Sequence, residues 1–274
     1  MLIKLEKGVN SNVGEAGGKG NSLLKLINAE YSVPCGFIIP SDYFINTLKT
    51  NNVYEIIIDI CSHTTLDNFK ENSVILKDIV IKCEVKFELA ELAEKLNSLV
   101  SVRSSAISED SANYSFAGLH DSFLNIEKNC IAENVKKVWA SIFNDRAIFY
   151  CLYKKLPLFE GIAVIIQEMV QAKYSGVVFT THPIETEFIL VEVTSGTGDS
   201  LVDGRITPDR FLFDRKTLEI SKSEISSHTL IDEQELRNLV NKSMEIERLF
   251  GRPQDIEWAI SDKLYFLQSR AVVI

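Results

Sequence analysis

The C-terminal end of the chain constrains the fold most, because its polar and apolar residues alternate with a period of two. Two polar pairs, Asp255 with Glu257 and Gln268 with Arg270, are each separated by a single residue. Residues two apart on a strand point to the same face of a sheet. With a two-residue turn at 261–262, the pattern predicts a β-hairpin that places Asp255 opposite Gln268 and all four polar side chains on one face.

The chemistry of this face favours a site for a metal ion and a phosphate. Carboxylate and amide oxygens are hard ligands that suit Mg²⁺, and the guanidinium of Arg270 suits phosphate oxygens. A strand with its polar face in water would show the same alternation. The hairpin alone therefore leaves both interpretations open.

The segment 14–20 is dense in glycine and runs directly into the helical pattern of residues 21–27. It predicts a loop followed by the N-terminus of a helix. Such a turn can hold an anion through its backbone N–H groups, and Lys19 would add a positive charge. The segment is not a P-loop, because Gly20 follows Lys19 where that motif has Ser or Thr. A flexible surface turn explains the glycines equally well.

Helical and strand patterns are mixed along the rest of the chain, which indicates a mixed α/β class with a largely antiparallel second half. Residues 41–98 are predicted to be mainly helical. Asp232 and Glu235 predict a capping box for a helix that ends at Phe250, before Gly251. Strands are predicted over residues 99–105, 162–170, 175–180, 188–193, 255–260 and 264–272.

Residues 132–153 have the apolar period of an amphipathic helix. No internal repeat, low-complexity tract or linker interrupts the chain. The predicted buried face of this helix consists of Val135, Val138, Trp139, Ile142, Phe149 and Tyr153.

The charge and the cysteine pattern of the chain argue against several classes of function. The chain has 274 residues, a net charge of −9 and a pI near 5.1, which is untypical of proteins that bind nucleic acids or anionic membranes. Its five cysteines are odd in number and include no C-x-x-C pair, so neither a disulfide framework nor a zinc site is indicated. Because neither a signal peptide nor an apolar run of membrane-spanning length is present, the sequence predicts a cytoplasmic protein with reduced thiols.

Several weaker motifs have a structural as well as a functional interpretation. Arg103 lies among small hydroxyl residues on a predicted strand. This pattern is typical of a phosphate site and equally of an arginine that is exposed on an edge strand. His182 precedes Pro183 and is interpreted as a turn residue, whereas for His120 both interpretations stay open. None of the four histidines has metal-ligand spacing to another His or Cys.

Short blocks over nearly the whole chain occur in an order that is typical of one family. They are GGKGN (17–21), VPCGF (33–37), VRSSA (102–106), SFAG (115–118), SFLN (122–125), NDRA (144–147), QEMV (167–170), SGVVFT (175–180), TPDR (207–210), PQDIEW (253–258) and LQSR (267–270). In this order the chain resembles the nucleotide-binding N-terminal domain of the phosphoenolpyruvate synthase, pyruvate phosphate dikinase and rifampicin phosphotransferase family.

The resemblance implies an α+β, ATP-grasp-like fold in which two lobes clasp ATP. Residues 1–274 would form a single nucleotide-binding domain, with lobe one over residues 1–165 and lobe two over residues 166–274. The implied ligands are ATP and Mg²⁺.

The resemblance also implies roles for residues in the first part of the chain. Lys19 and Arg103 would contact phosphates, and Gly118 and Ser122 would lie in a loop that closes over the phosphate tail. The adenine pocket would be lined, partly through backbone groups, by Gln167, Glu168, Met169 and Val170.

In the C-terminal hairpin, the resemblance makes Glu257 and Gln268 ligands of Mg²⁺ with support from Asp255. Arg270 would clamp the transferred group. The implied catalytic residues are Arg270, Arg103 and Lys19.

The implied activity is that of a dikinase-like, ATP-dependent phosphotransferase, which passes a phosphoryl or pyrophosphoryl group to a histidine. Family members continue into a swivelling domain with a phosphorylatable histidine and then a phosphoenolpyruvate-binding barrel. This chain ends near where the first of those would begin, and none of its histidines has the expected sequence context. We therefore expect a separate partner domain or protein, either a His-bearing phosphocarrier or a pyruvate/phosphoenolpyruvate-domain protein, to supply the acceptor.

Two alternatives remain. An ATP-grasp ligase or kinase would act directly on a small acceptor with the same nucleotide residues. A regulatory module would bind the nucleotide without turning it over, although retention of the phosphate and metal residues argues against this alternative.

Overall fold

The computed structural model describes residues 2–85, 96, 99–107, 118–196, 207–226 and 231–272. The chain divides into two compact units. Unit 1 comprises Met1–Leu24 and Cys35–Met169, and unit 2 comprises Lys25–Pro34 and Val170–Ile274. The segment Lys25–Pro34 thus packs with residues that are distant in sequence. The assignment of these units to the two lobes of one nucleotide-binding domain stays a proposal.

Unit 1 is built on an antiparallel sheet. Its strands are β1 (Ile3–Lys4), β2 (Gly36–Ile39), β3 (Val100–Ala106), β4 (Ser122–Ile126) and β5 (Ile162–Glu168). Among the described residues they have the order β1-β2-β5-β3-β4. Strand β5 is buried along its apolar run because it pairs with β2 on one side and with β3 on the other.

Helices pack against one face of this sheet. They are α2 (Ser41–Thr50), α3 (Tyr54–Ser62), α4 (Phe69–Lys82), α5 (Ile131–Ala140) and α6 (Asp145–Lys154), whereas α1 (Val13–Asn28) lies on the other face, where it contacts Ser105 of β3. Trp139 of α5 stacks on Phe44 of α2 with ring centroids 5.0 Å apart, and both side chains are fully buried. They share a core with Val102 and Val164 of the sheet. Since alternate residues of a strand point to opposite faces, Arg103 lies on the other face of the sheet.

The single helix predicted over residues 132–153 is wrong. A 3₁₀ turn covers Ser141–Phe143, and Asn144 is extended (φ −59°, ψ 145°) before α6 begins. This break changes the rotational phase of the second helix, so Phe149 and Tyr153 are 48% and 69% exposed. The other residues of the predicted buried face are buried, as expected: Val135, Val138, Trp139 and Ile142.

Unit 2 contains a second antiparallel sheet, covered on one face by the helix α7 (Glu233–Phe250). The strands are β6 (Tyr174–Phe179), β7 (Phe188–Ser195), β8 (Asp209–Asp214), β9 (Ile220–Glu224), β10 (Gln254–Ile260) and β11 (Leu264–Ala271). Within the ranges that the structure describes, their order is β11-β10-β6-β7-β8-β9. Leu239 and Val240 of α7 share a core with Ile256 and Trp258 of β10.

Helix α7 begins and ends at the predicted residues. Asp232 is its N-cap and accepts a hydrogen bond from the backbone of Gln234 at 2.7 Å. Gly251 ends the helix in the left-handed conformation, with φ 70°. The mixture of helices with two antiparallel sheets confirms the predicted α+β class. No helix in the described part of the chain is long and apolar enough to cross a bilayer.

A half-buried ion pair ties α7 to the end of β6. Arg215 donates through both terminal nitrogens to Glu247, at 2.8 and 3.1 Å, and also to the carbonyl of Thr180 and the hydroxyl of Thr181. The two charged side chains are only 24% and 15% exposed. Loss of either charge would leave the other desolvated without its partner.

We therefore expect Glu247→Ala to lower the free energy of unfolding by about 3 kcal/mol, the cost of breaking a buried pair. The matched control is Glu219→Ala. This substitution removes the exposed carboxylate that pairs with Arg237 of α7. Urea denaturation should show no measurable change for this control. Equal effects of the two substitutions would show that burial of the Arg215–Glu247 pair does not matter for stability.

Candidate functional site

The glycine-dense segment forms a kink inside α1, which corrects the predicted loop. Gly17 has φ 70° and ψ 175°, whereas the residues on either side of it are helical. A Cβ atom at this position would lie 2.0 Å from the carbonyl oxygen of Ser105. Glycine is therefore required both for the backbone angle and for the close approach to β3.

Ser105 fastens this kink to β3. Its buried hydroxyl donates to the carbonyl of Ala16 at 2.7 Å and accepts from the backbone N–H of Gly20 at 2.9 Å. Lys19 lies between these two contacts and is half-buried. The Gly20 N–H is occupied by Ser105, so an anion held at this turn would rely on other N–H groups and on Lys19.

Several predicted site residues share one face of the unit 1 sheet. Arg103 is two residues before Ser105 on β3, so both side chains point to the same face. Ser122 lies directly opposite Arg103 on β4. Gln167 of β5 lies opposite Ser101, again on this face. The structure thus brings Arg103, Ser122 and Gln167 to the face of the sheet on which the Lys19 segment is fastened.

Gly118 precedes β4 and is exposed, with φ 70°. The preceding residues of the same signature, 108–117, lie outside the described residues. The structure therefore places only the second part of the predicted phosphate-covering loop.

The predicted adenine segment has part of its backbone already engaged. The N–H of Glu168 donates to the carbonyl of Cys35 at 2.9 Å, and that of Met169 donates to Leu99 at 2.8 Å. Neither N–H is available to a nucleotide in this conformation. Backbone recognition would have to use carbonyl oxygens of this segment or the N–H of Val170.

The C-terminal hairpin has a different register from the predicted one. Ile260 pairs with Leu264, which leaves a three-residue turn over 261–263, and a bulge follows between Glu257 and Trp258. The paired residues are Asp255 with Arg270 and Glu257 with Gln268. The prediction that Asp255 lies opposite Gln268 is wrong. The four polar side chains nevertheless share one face, because residues that pair directly point to the same side.

Asp255 and Arg270 form a close ion pair on this face. The Asp255 Oδ2 atom accepts from Arg270 Nε at 2.8 Å and lies 2.7 Å from Nη2. Burial raises the pKa of Asp255 above its usual value, the Arg270 guanidinium lowers it, and the nearby Glu257 and Glu192 carboxylates raise it further. Asp255 is only 6% exposed and Gln268 only 3%. The alternative of a polar strand face in water therefore does not fit these two residues.

The donor set of the hairpin fits Mg²⁺ in one particular way. Asp255, Glu257 and Gln268 offer two carboxylates and one amide on a single face. Within the described ranges, no group of three or more His, Cys, Asp or Glu side chains could hold a metal ion. Proteins commonly bind Mg²⁺ through one or two carboxylates and complete the coordination with substrate phosphates and water. These residues therefore suit a metal that arrives with a phosphate-bearing ligand.

A further ion pair on the same face was not predicted from the sequence. Glu257 and Glu192 are both opposite Val177, on its two sides, so Glu192 lies two strands from Glu257. Arg210 Nε donates to Glu192 at 2.8 Å. The signal in the sequence is a single acidic residue between the apolar residues Val191 and Val193 of β7.

The structure places both of the histidines that the sequence analysis singled out, His182 and His120. His182 is a turn residue, as predicted, because its Nδ1 atom accepts from the backbone N–H groups of Ile184 and Glu185 at 3.2 and 3.0 Å. His120 is half-buried and lines a small apolar cavity with Cys151 in unit 1. Burial raises the pKa of the Cys151 thiol to about 11, so this cysteine is not an activated nucleophile.

Comparison with known proteins identifies the family. The pyruvate phosphate dikinase AMP/ATP-binding domain family matches this chain over residues 13–230 and 226–273. The chain therefore belongs to this family, which confirms the resemblance of its sequence blocks.

Individual proteins give the same result. A probable phosphoenolpyruvate synthase from Archaeoglobus fulgidus is 31% identical over 93% of this chain and 39% of its own length. A rifampicin phosphotransferase from Bacillus cereus is 29% identical over 93% of this chain and 34% of its own length. The chain thus spans well under half the length of these relatives. A solved D-alanine–D-alanine ligase from Helicobacter pylori is 13% identical with a TM-score of 0.32, covering 68% of this chain and 46% of the ligase, a likeness too slight to carry an argument.

The contact between Ser105 and the glycine kink generates a stability prediction. Ser105→Ala should lower the free energy of unfolding by about 1–3 kcal/mol, because a buried N–H and a buried carbonyl lose their partner. The neighbouring Ser104→Ala is the matched control, since the Ser104 hydroxyl is buried and has no hydrogen-bond partner among the described residues. Chemical denaturation that shows equal losses for both variants would remove the anchoring role of Ser105.

Proposed function

We propose that this domain is an Mg²⁺- and ATP-dependent phosphotransferase of the cytoplasm, which passes a phosphoryl or pyrophosphoryl group to a histidine on a partner domain or protein. One observation carries the proposal. Two carboxylates, an amide and a guanidinium share one face of the C-terminal hairpin in a chain of the AMP/ATP-binding domain family.

In unit 2, Glu257 and Gln268 are the proposed ligands of Mg²⁺. The bound ion would neutralise negative charge on the phosphate oxygens. Asp255 contacts Nε and Nη2 of Arg270 and so fixes the plane of the guanidinium. A guanidinium held in this way is preorganised for the charge that develops on the transferred group, without reorientation during the reaction.

In unit 1, Lys19 and Arg103 are the proposed phosphate ligands, together with Gly118 and Ser122. Two features support this assignment. Arg103 lies directly opposite Ser122 on the neighbouring strand, and Ser105 fastens the Lys19 segment to the strand of Arg103. The adenine base is assigned to the segment that contains Gln167, Glu168, Met169 and Val170.

Transfer itself requires few covalent roles from this chain. An imidazole nitrogen of the acceptor attacks phosphorus and forms an N–P bond, while the P–O bond to the leaving nucleotide breaks. Positioning and charge neutralisation account for most catalysis of this kind. Lys19, Arg103 and Arg270 would supply the positive charges.

The acceptor is proposed to be a separate His-bearing phosphocarrier or a pyruvate/phosphoenolpyruvate-domain protein. Two of the three described histidines are poorly suited as acceptors, because His182 is held in a turn through Nδ1 and His120 is half-buried. The third, His63, is exposed and contacts Asp59 through Nδ1 at the end of α3. The alternative is direct transfer to a small molecule. It is favoured by the relative named rifampicin phosphotransferase, whose name specifies a small acceptor.

Incubation with ATP labelled at the β- or γ-phosphate distinguishes these proposals. The isolated chain should consume ATP only slowly. Addition of the part of the Archaeoglobus fulgidus relative that lies outside the matched region should give acid-labile, base-stable label on the added protein. Rapid ATP consumption with a small molecule as the only other component would contradict transfer to a partner and support the alternative.

Arginine variants test the role of Arg270 in the same experiment. Arg270→Ala and Arg270→Lys should both reduce labelling on the order of a hundred- to thousandfold, because neither restores the planar fork beside Asp255. Arg237→Lys, at a partly exposed position of α7, is the control and should label at the normal rate. Normal labelling by the Arg270 variants would assign that residue a purely structural role.

A further inference from the structure

Asp121 lies inside the loop that joins Gly118 to Ser122, and all of its described polar contacts are to one distant segment. Its Oδ1 atom accepts from Asn144 Nδ2 at 3.1 Å and lies 3.5 Å from Arg146 Nη2. Its backbone N–H donates to the hydroxyl of Ser141 at 3.1 Å. One acidic residue of the loop is therefore bound from both its side chain and its backbone.

The segment that binds Asp121 is the junction between α5 and α6, residues 141–146. Ser141 is 1% exposed, and its hydroxyl also donates to the carbonyl of Val138 at 2.7 Å. Phe143 is fully buried, and its carbonyl accepts from Ser73 of α4 at 2.6 Å. The junction is thus attached to two helices and to the core. It therefore offers the 118–122 loop a buried point of attachment.

The attachment of Asp121 to the junction affects the face of the unit 1 sheet that carries Arg103 and Ser122. Ser122 follows Asp121 and is the first residue of β4, where it lies opposite Arg103. Fixing Asp121 therefore fixes the point at which β4 starts its pairing with β3. The break between α5 and α6, which the helical pattern of the sequence does not predict, is what brings Asn144 to this loop.

We propose that Asp121 is a positioning residue, through which Ser141, Asn144 and Arg146 hold the 118–122 loop in place for the phosphate tail of the nucleotide. This inference rests on the proposed function, because it assigns a support to a loop proposed to contact phosphate. Asp121 acts through Gly118 and Ser122 and contacts neither phosphorus nor metal.

The first arm of the test needs no nucleotide. Hydrogen exchange of the backbone amides from residue 119 to residue 124 should be at least severalfold faster in Asp121→Ala and in Asn144→Ala than in the unchanged protein. Asp145→Ala is the matched control, since Asp145 is exposed at the same junction, and its exchange should be unchanged. Unchanged exchange in the first two variants would overturn the positioning role, whatever the nucleotide measurements show.

The second arm compares ATP with AMP by calorimetry in the presence of Mg²⁺. Asp121→Ala should weaken ATP binding on the order of tenfold, equivalent to about 1.4 kcal/mol, and leave AMP binding nearly unchanged. Asn144→Ala should add little in the Asp121→Ala background, because both remove the same contact. Equal loss of ATP and AMP affinity would indicate a general structural role and overturn the proposal.

The two arms also separate this inference from the proposed function. An unchanged protein that binds no ATP, combined with faster loop exchange in the variants, would sink the phosphotransferase proposal and the link to a phosphate tail. ATP binding that is equal in all variants would leave the proposed function standing and overturn the role of Asp121.

Discussion

The ion pair between Asp255 and Arg270 organises the polar face of the C-terminal hairpin. A carboxylate that is 6% exposed is costly to keep charged, and Arg270 is the partner that lowers this cost. The pair forms because a three-residue turn and a bulge bring the two residues opposite each other. The same register places Glu257 opposite Gln268. One backbone arrangement therefore creates both the Asp255–Arg270 ion pair and the face that carries the proposed metal donors.

The sequence predicted the composition of this face but not its pairing. Alternation shows which side chains share a side, because that depends only on the period of a strand. The register depends on the length of the turn and on the bulge, which are backbone features that the polar pattern does not specify. The prediction of a single helix over residues 132–153 is wrong for a related reason. Asn144 interrupts it, and the apolar period continues well enough through the break to conceal it.

The unit 1 site was less accessible to prediction. Ser105 contacts Gly20 across 85 residues of sequence, and no local spacing indicates such a contact. The glycine-dense segment was recognised as special, but the reason is the kink at Gly17 against β3 rather than a loop. Family resemblance identified Lys19, Arg103 and Ser122 as a set. The structure adds that Arg103 faces Ser122 and that Ser105 ties the Lys19 segment to the same strand.

Calorimetric titration of ATP with and without Mg²⁺ tests whether the C-terminal hairpin binds the nucleotide through the metal ion. We expect weak binding in metal-free buffer and much tighter binding when Mg²⁺ is added, because the triphosphate otherwise approaches Asp255 and Glu257 with its charge unneutralised. In Glu257→Gln, the gain in affinity from Mg²⁺ should be largely lost. Equal affinity for ATP with and without Mg²⁺ in the unchanged protein would contradict the metal role of the hairpin.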